Sequence, residues 1–260
     1  MILTETELQT ENDSEIQLKK VAIQGYSGAF HEIAARMFFD KEEIAIAPAD
    51  TFSDLVKMVE NGEADTALMA IENSLAGSIM PNYNLLNQSK LKVVGEIYLR
   101  IKQNLMVLPG QKIEDLKEVH SHYMAIAQCR EFFKNHLHIR LIETTDTALS
   151  AKMVRDQNLE NVGAIASTLA ADLYDLEIIG SSIETNKLNY TRFLVLKREA
   201  SVREIESANK VSLCFSVEHE VGSLHKVLAL MSAYNINLTK IQSTPIVGKQ
   251  WEYRFFVDFV

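Results

Sequence analysis

From Val21 onward, short apolar runs alternate with polar turns and with stretches of helical periodicity. Val21-Ala22-Ile23 predicts a buried strand that breaks at Gln24–Gly28. Phe30, Ile33, Ala34, Met37 and Phe38 then recur at spacings of three and four, as on one face of a helix. Ile44–Ala47 predicts a second strand ending at Asp50-Thr51, where Thr51 is placed to cap a helix carrying Leu55, Val56 and Val59 and closing at Asn61-Gly62. Ala67–Ile71 predicts a third strand that stops at Glu72-Asn73-Ser74, and a further helix enters near Pro81. Val93–Ile101 and Asn104–Leu108 alternate like strands leaving this lobe, and Pro109-Gly110 turns the chain.

A second round of the same pattern follows. Glu118–His120, Ile139–Ile142 and Val162–Ala166 each break at a polar turn into a helical stretch. The rounds are in register. Asp50-Thr51 matches Asp146-Thr147 (146 − 50 is 96), and Leu68–Ala70 matches Ala164–Ala166 at the same offset (164 − 68). Repeated strand–turn–helix units predict an α/β fold of two lobes, with parallel-rich sheets covered by helices on both faces and a cleft between them. Ligands of such sheets bind outside the carboxyl ends of the strands.

The rest of the chain divides around these lobes. Residues 1–20 are polar and acidic and are expected to be a flexible tail. Residues 21–198 form the bilobal unit, with one lobe about 21–98 and 184–198 and the other about 99–183. Residues 199–209 read as a linker. Residues 210–260 predict strand, helix, strand, strand: a ferredoxin-like βαββ unit lacking its last helix and strand, which would leave Val211–Val217 as an exposed edge.

Composition narrows the function classes. Charged residues make up 23% and the net charge is −9 with no Lys/Arg cluster, which argues against nucleic-acid or membrane-surface partners. No apolar run is long enough to span a bilayer, and the start of the chain lacks the pattern of a signal peptide, so the cytoplasm is the expected compartment. Cys129 and Cys214 lie in different units and give no disulfide framework. His120/His122 and His136/His138 are spaced i,i+2, but no cysteine or acidic cluster completes a metal set, and no metal is expected.

Three stretches carry candidate chemistry. Asn189-Tyr190-Thr191-Arg192-Phe193 opens a strand with an amide, a hydroxyl and a guanidinium, groups able to bind an anion at the strand mouth; a strand entry with a surface Arg explains the same residues without function. In Glu72-Asn73-Ser74, simple N-capping accounts for Asn73 and Ser74, whereas Glu72 becomes a proton donor if burial raises its pKa. Gly25–Gly28 lacks the features of a nucleotide loop, leaving an anion-binding helix start as the sharper alternative.

Together these residues resemble prephenate dehydratases. Val21–Phe30 is similar to the family's first strand and Gly-rich turn, Ile71–Ser74 with Gly77-Ser78 to its Glu-Asn motif, Ala164–Ser167 to its second-lobe motif, and Asn189 with Thr191-Arg192-Phe193 to its Thr-Arg-Phe signature. Residues from Val211 on resemble an ACT regulatory domain, with Val221–Leu224 where that family has Gly-Ala-Leu and Ile241–Pro245 where it has Glu-Ser-Arg-Pro. There are departures. The first turn reads Gly25-Tyr26-Ser27-Gly28-Ala29, where many relatives carry Pro, Glu and Thr. His122-Tyr123-Met124 replaces His-Pro-Gln, leaving Gln128 as the nearest family glutamine. Gln242 and Thr244 replace Glu and Arg.

The resemblance implies a bilobal fold like that of periplasmic binding proteins and conversion of prephenate to phenylpyruvate without a cofactor, regulated by L-phenylalanine. It implies catalytic roles for Thr191, Glu72 and Asn73, with Thr191 donating to the departing hydroxyl. Ser27, Gly28, Ser74, Gln128, Ser167, Asn189, Arg192 and Phe193 would bind substrate. Val221, Gly222, Ser223, Leu224, Asn235, Ile236, Asn237 and Leu238 would bind effector, in a homodimer or homotetramer. An arogenate dehydratase, or an amino-acid sensor without catalysis, are the alternatives.

Overall fold

The computed structural model describes residues 18–201 and 208–260. The first sheet is built from β1 (Lys19–Gln24), β2 (Ile44–Ala49), β3 (Thr66–Asn73), β5 (Leu91–Arg100) and β11 (Tyr190–Arg198), in the order β2-β1-β3-β11-β5. The two-residue β4 (Gly77–Ser78) hangs on β3. The second sheet comprises β6 (Asn104–Val107), β7 (Glu118–His122), β8 (Arg140–Thr144), β9 (Val162–Ala166) and β10 (Glu177–Gly180), in the order β10-β6-β9-β7-β8.

The two orders are the same pattern. In each sheet the three repeat strands run parallel, a fourth strand pairs antiparallel with the third (β11 with β3, β6 with β9), and a fifth pairs antiparallel with that fourth (β5 with β11, β10 with β6). Ile44 and Arg140 open equivalent strands 96 residues apart (140 − 44), as do Thr66 and Val162 (162 − 66). The sheets are therefore mixed rather than wholly parallel: the chain crosses between lobes twice, and each crossing delivers one strand, β6 or β11, in the opposite sense. The central strands are apolar throughout because both faces are covered; Val21–Ile23 and Ala67–Met69 are fully buried. Pro48 is tolerated in β2 because β2 is an edge strand.

Helices α1 (Phe30–Phe38), α2 (Phe52–Glu60) and α3 (Met80–Gln88) cover the first sheet, and α4 (Tyr123–Phe133), α5 (Thr147–Asp156) and α6 (Thr168–Leu173) the second. Thr51 caps α2 as its sequence predicts, accepting the Asp54 N–H at 3.1 Å. Of the expected tail, Lys19 and Lys20 belong to β1, and residues 1–17 lie outside the described residues. In the expected linker Glu199–Ser201 form a 3₁₀ turn, while 202–207 lie outside the described residues.

The last unit has β12 (Val211–Ser216), α7 (Ser223–Ala233), β13 (Leu238–Pro245) and β14 (Tyr253–Phe259), with strand order β12-β14-β13. It packs on the first sheet. Phe256 joins the core that Met69, Ile71 and Leu194 form on one face, its ring 5.0 Å from that of Tyr83. Among the described residues no helix is long and apolar enough to cross a membrane.

Candidate active site

A single extra residue in β3 decides which side chains reach the cleft. In the antiparallel pair β3–β11, Thr191 lies opposite Asn73 and Arg192 opposite Glu72, but Phe193 lies opposite Ala70, so Ile71 is bulged out. Side chains alternate along a strand, and the bulge shifts that alternation by one. Thr191 and Phe193 face the cleft together with Ala70 and Asn73, and all four line it. Arg192 and Glu72 project from the opposite face, toward the C-terminal unit.

Arg192 is correspondingly buried in ion pairs. Its Nη1 lies 2.5 Å from Asp258 Oδ2 and its Nη2 2.7 Å from Glu96 Oε2. These carboxylates outweigh burial and hold the guanidinium above its usual pKa. Glu72 lies 2.8 Å from Lys240 Nζ. Neither Arg192 nor Glu72 lines the cleft, in contrast to the substrate-binding and acid roles that the motif suggests for them.

A relay of amides fixes its own orientation: Asn73, Gln103 and Gln128 line the cleft, and Asn189 lies buried behind them rather than in the lining. Asn73 Oδ1 accepts the backbone N–H groups of Leu75 and Ala76 at 2.9 and 3.0 Å, which turns its Nδ2 toward Asn189 Oδ1 (2.8 Å) and Thr191 Oγ1 (3.0 Å). No helix starts at Asn73, so its role differs from the N-capping its sequence allows: it closes a turn before β4. Asn189, fully buried, then donates through Nδ2 to Gln128 Oε1 (2.9 Å), which also accepts from Gln103 Nε2 (3.3 Å). Thr191 Oγ1 thus has an acceptor site occupied by Asn73. Among the described residues its own hydrogen has no acceptor, so it is free to donate into the cleft.

The cavity holds about 630 Å³ between the lobes. The first turns of α1, α2, α4 and α5 all reach its wall, at Phe30, Phe52, Tyr123 and Thr147, so four helix N-termini present backbone N–H groups and positive dipole ends to it. The His31 ring packs against Phe52 (5.6 Å between centroids) and edge-on to Phe193 (4.9 Å), and burial lowers its pKa to about 4. Burial also lowers the pKa of His122 and raises that of Asp146.

Other expected residues hold the lobes rather than line the cleft. Ser167 Oγ donates to Gly28 O (2.5 Å) and caps α6 by accepting the Ala170 N–H (3.0 Å). Tyr174 donates to Ser27 O (2.7 Å). The Gly28 N–H is taken by the buried Glu32 carboxylate (2.8 Å), so that amide is not open to a ligand. Ser74 splints β3 to the entry of β11, donating to Leu188 O (2.8 Å) and accepting the Tyr190 N–H (2.9 Å). Conversely, the motifs single out neither His31 nor Asp146 and Thr147. The 96-residue register was the usable signal for the last two, since it pairs them with Asp50 and Thr51 at equivalent turns of the first lobe.

The candidate effector residues fall into two groups. Val221, Gly222, Ser223 and Leu224 stand at the start of α7 and Asn235, Ile236, Asn237 and Leu238 beyond its end, separated by the nine helical residues 225–233, about 14 Å of helix. Asn235 takes a left-handed φ of 56°, which ends the helix. One copy of the chain does not bring the two groups together. The C-terminal unit nonetheless touches the cleft wall: Lys240 Nζ donates to Ser78 Oγ at 2.9 Å, and Ser78 lines the cavity.

Comparison with known proteins agrees with this architecture. The family model described as "PDT: Prephenate dehydratase" matches residues 21–201. Arogenate dehydratase 2 of Petunia hybrida is 39% identical over 256 residues, a match covering 92% of this chain and 64% of that protein. The chain thus spans less than two thirds of that relative's length. The structure of prephenate dehydratase from Arthrobacter aurescens in complex with L-Phe superposes with a TM-score of 0.82 at 26% identity, over 92% of this chain and 80% of that one. A structure described as "GqqA- a novel type of quorum quenching acylases" gives 0.83 at 31% identity, over 93% and 87%.

Proposed function

The chain belongs to the prephenate dehydratase family, and we propose that its cleft catalyses the decarboxylating dehydration of prephenate to phenylpyruvate. The ring carboxylate leaves as carbon dioxide, its bonding electrons flow into the ring, and the C–O bond breaks at the opposite carbon. The departing hydroxide takes up one proton and leaves as water. No electrons are gained or lost overall, so the balance needs no redox partner.

The observation that carries this reading is the unshared hydrogen of Thr191 at the cleft surface. A hydroxyl whose acceptor side is held by Asn73 is preorganised to donate to the leaving oxygen, where negative charge develops. Such help is worth roughly 10²–10⁴ in rate. The pKa of an aliphatic hydroxyl is too high for Thr191 to give up its proton outright; it polarises the leaving group, and water supplies the proton. The carboxylates are held by the helix N-termini and by Thr145 and Thr147. Gln128 contributes its Nε2, because its oxygen already accepts two hydrogen bonds.

In this reading the C-terminal unit is an ACT-type domain that binds L-phenylalanine. An effector site using both groups of residues around α7 requires a second copy of the chain, which favours a homodimer or homotetramer. The compartment proposed is the cytoplasm. The test is incubation with prephenate, following phenylpyruvate by absorbance, with and without L-phenylalanine. Turnover that the amino acid suppresses supports both parts; binding without turnover would favour a sensor.

A further inference from the structure

The stretch that orients Asn73 has little packing of its own. Residues 74–77 are exposed, and β4 is only two residues long and pairs with β3 alone. A Cβ on Gly77 would meet nothing within 4 Å. So short a hairpin is marginal without outside support. Yet its turn supplies the Leu75 and Ala76 N–H groups that hold Asn73 Oδ1 at 2.9 and 3.0 Å, and thereby aim Asn73 Nδ2 at Thr191 Oγ1.

The support comes from the other end of the chain. Glu72 and Ser78 stand directly opposite one another in β3 and β4, and Lys240 of β13 bridges them. Its Nζ lies 2.8 Å from Glu72 Oε2 and donates to Ser78 Oγ at 2.9 Å. The same ammonium lies over the Tyr83 ring, 4.8 Å from its centroid. An ion pair, a hydrogen bond and a ring face therefore fix it together. The Lys240 side chain is only 10% exposed, so water screens these contacts little. The bridge also accounts for Glu72, a motif acid that does not line the cleft.

We propose that Lys240 is a positioning residue for the dehydration, an inference that rests on the dehydratase reading. From the C-terminal unit it clamps β4 to β3, which keeps the turn at residues 74–77 closed on Asn73 and the Thr191 hydroxyl aimed into the cleft. Without the clamp the turn loosens, the Asn73 oxygen loses its two donors, and the hydroxyl loses its orientation. The substrate carboxylates are held at other walls of the cleft, so bond breaking suffers and binding does not.

The experiment replaces Lys240 by Met, which keeps the aliphatic stem beside Tyr83 and removes the ammonium. Glu72 is 35% exposed and retains Arg192 Nη1 at 3.9 Å, so the variant is not left with a buried, unpaired charge. In Lys240→Met, kcat for prephenate is expected to fall about tenfold to a hundredfold, with KM changed less than about twofold. Lys240→Arg recovers part of the loss. In a Thr191→Val background Lys240→Met causes no further fall in kcat, because the hydroxyl it positions is absent. An equal fall in both backgrounds would overturn the proposal. So would a parental kcat in Lys240→Met, whether or not its melting temperature drops. The dehydratase reading fails separately, if the parent chain turns over no prephenate. Amide hydrogen exchange then decides on the clamp: faster exchange at Leu75 and Ala76 in Lys240→Met supports it, and exchange unchanged from the parent overturns it.

Discussion

Asn73 Nδ2 lies 3.0 Å from Thr191 Oγ1, across two strands whose register is set by the bulge at Ile71. The contact exists because the amide's oxygen is already committed to two backbone N–H groups. Replacing Asn73 by Asp keeps an oxygen for that turn but removes the donor. The second carboxylate oxygen then accepts the Thr191 hydrogen that the substrate needs. Asn73→Asp is expected to lower kcat by about 10²–10³, with a smaller change in KM, as read from steady-state phenylpyruvate formation.

Arg192 is only 6% exposed and binds Asp258, itself 5% exposed. This pair ties the strand that carries Thr191 to the C-terminal unit. Removing one partner of a buried pair leaves an uncompensated charge, although Glu96 remains beside Arg192 here. Asp258→Ala is expected to destabilise the fold on the order of 3 kcal/mol in urea denaturation, with KM for prephenate little changed. A large rise in KM without loss of stability would instead mark Arg192 as a substrate ligand.

His31 gives the stability a specific pH dependence. Its pKa is about 4 when folded and returns to 6.5 when the chain unfolds. Between those values the unfolded chain binds a proton that the folded chain does not, so stability is complete above about pH 6.5 and falls as the pH drops toward 4. His31→Phe keeps an aromatic ring between Phe52 and Phe193 and removes the titration. Between pH 7 and pH 5 the variant is expected to lose about 2 kcal/mol less than the parent, measured by denaturation at the two values.

Gly28 and Gly77 both take positive φ, +90° and +80°, but only Gly28 is crowded. A Cβ there would come within 2.8 Å of Ala170 Cα, in the contact that joins the lobes, whereas at Gly77 nothing lies within 4 Å. Gly77→Ala is expected to cost about 1–2 kcal/mol, the backbone penalty alone. Gly28→Ala adds an overpacking cost of about 1–3 kcal/mol. Equal melting temperatures for the two variants would show that the lobe contact is loose.

Much of this was legible in the sequence because it is local or periodic. The 96-residue register survives as two sheets of matching strand order, and the Thr51 cap needs only three residues of context. What was hidden depends on distant partners. Plain alternation along β3 cannot say that Asn73 and Ala70 share a face, since the bulge at Ile71 becomes visible only once β11 is paired. The motif marks Arg192 and Glu72 as chemistry-bearing, but Asp258, 66 residues downstream of Arg192, and Lys240, 168 residues beyond Glu72 (240 − 72), engage them from outside the cleft. Ser167 and Gly28 stand at strand-to-helix turns like true ligand-binding residues, and bind each other.

Thr191 bears the central claim, and its side chain tests it most directly. Thr191→Val preserves the shape and removes the hydroxyl. With prephenate at saturation, the variant is expected to form phenylpyruvate about 10²–10³ times more slowly than the parent chain, and Thr191→Ser to recover part of that loss. A Thr191→Val protein that keeps near-parental kcat would show that the hydroxyl held by Asn73 does not assist the departing group.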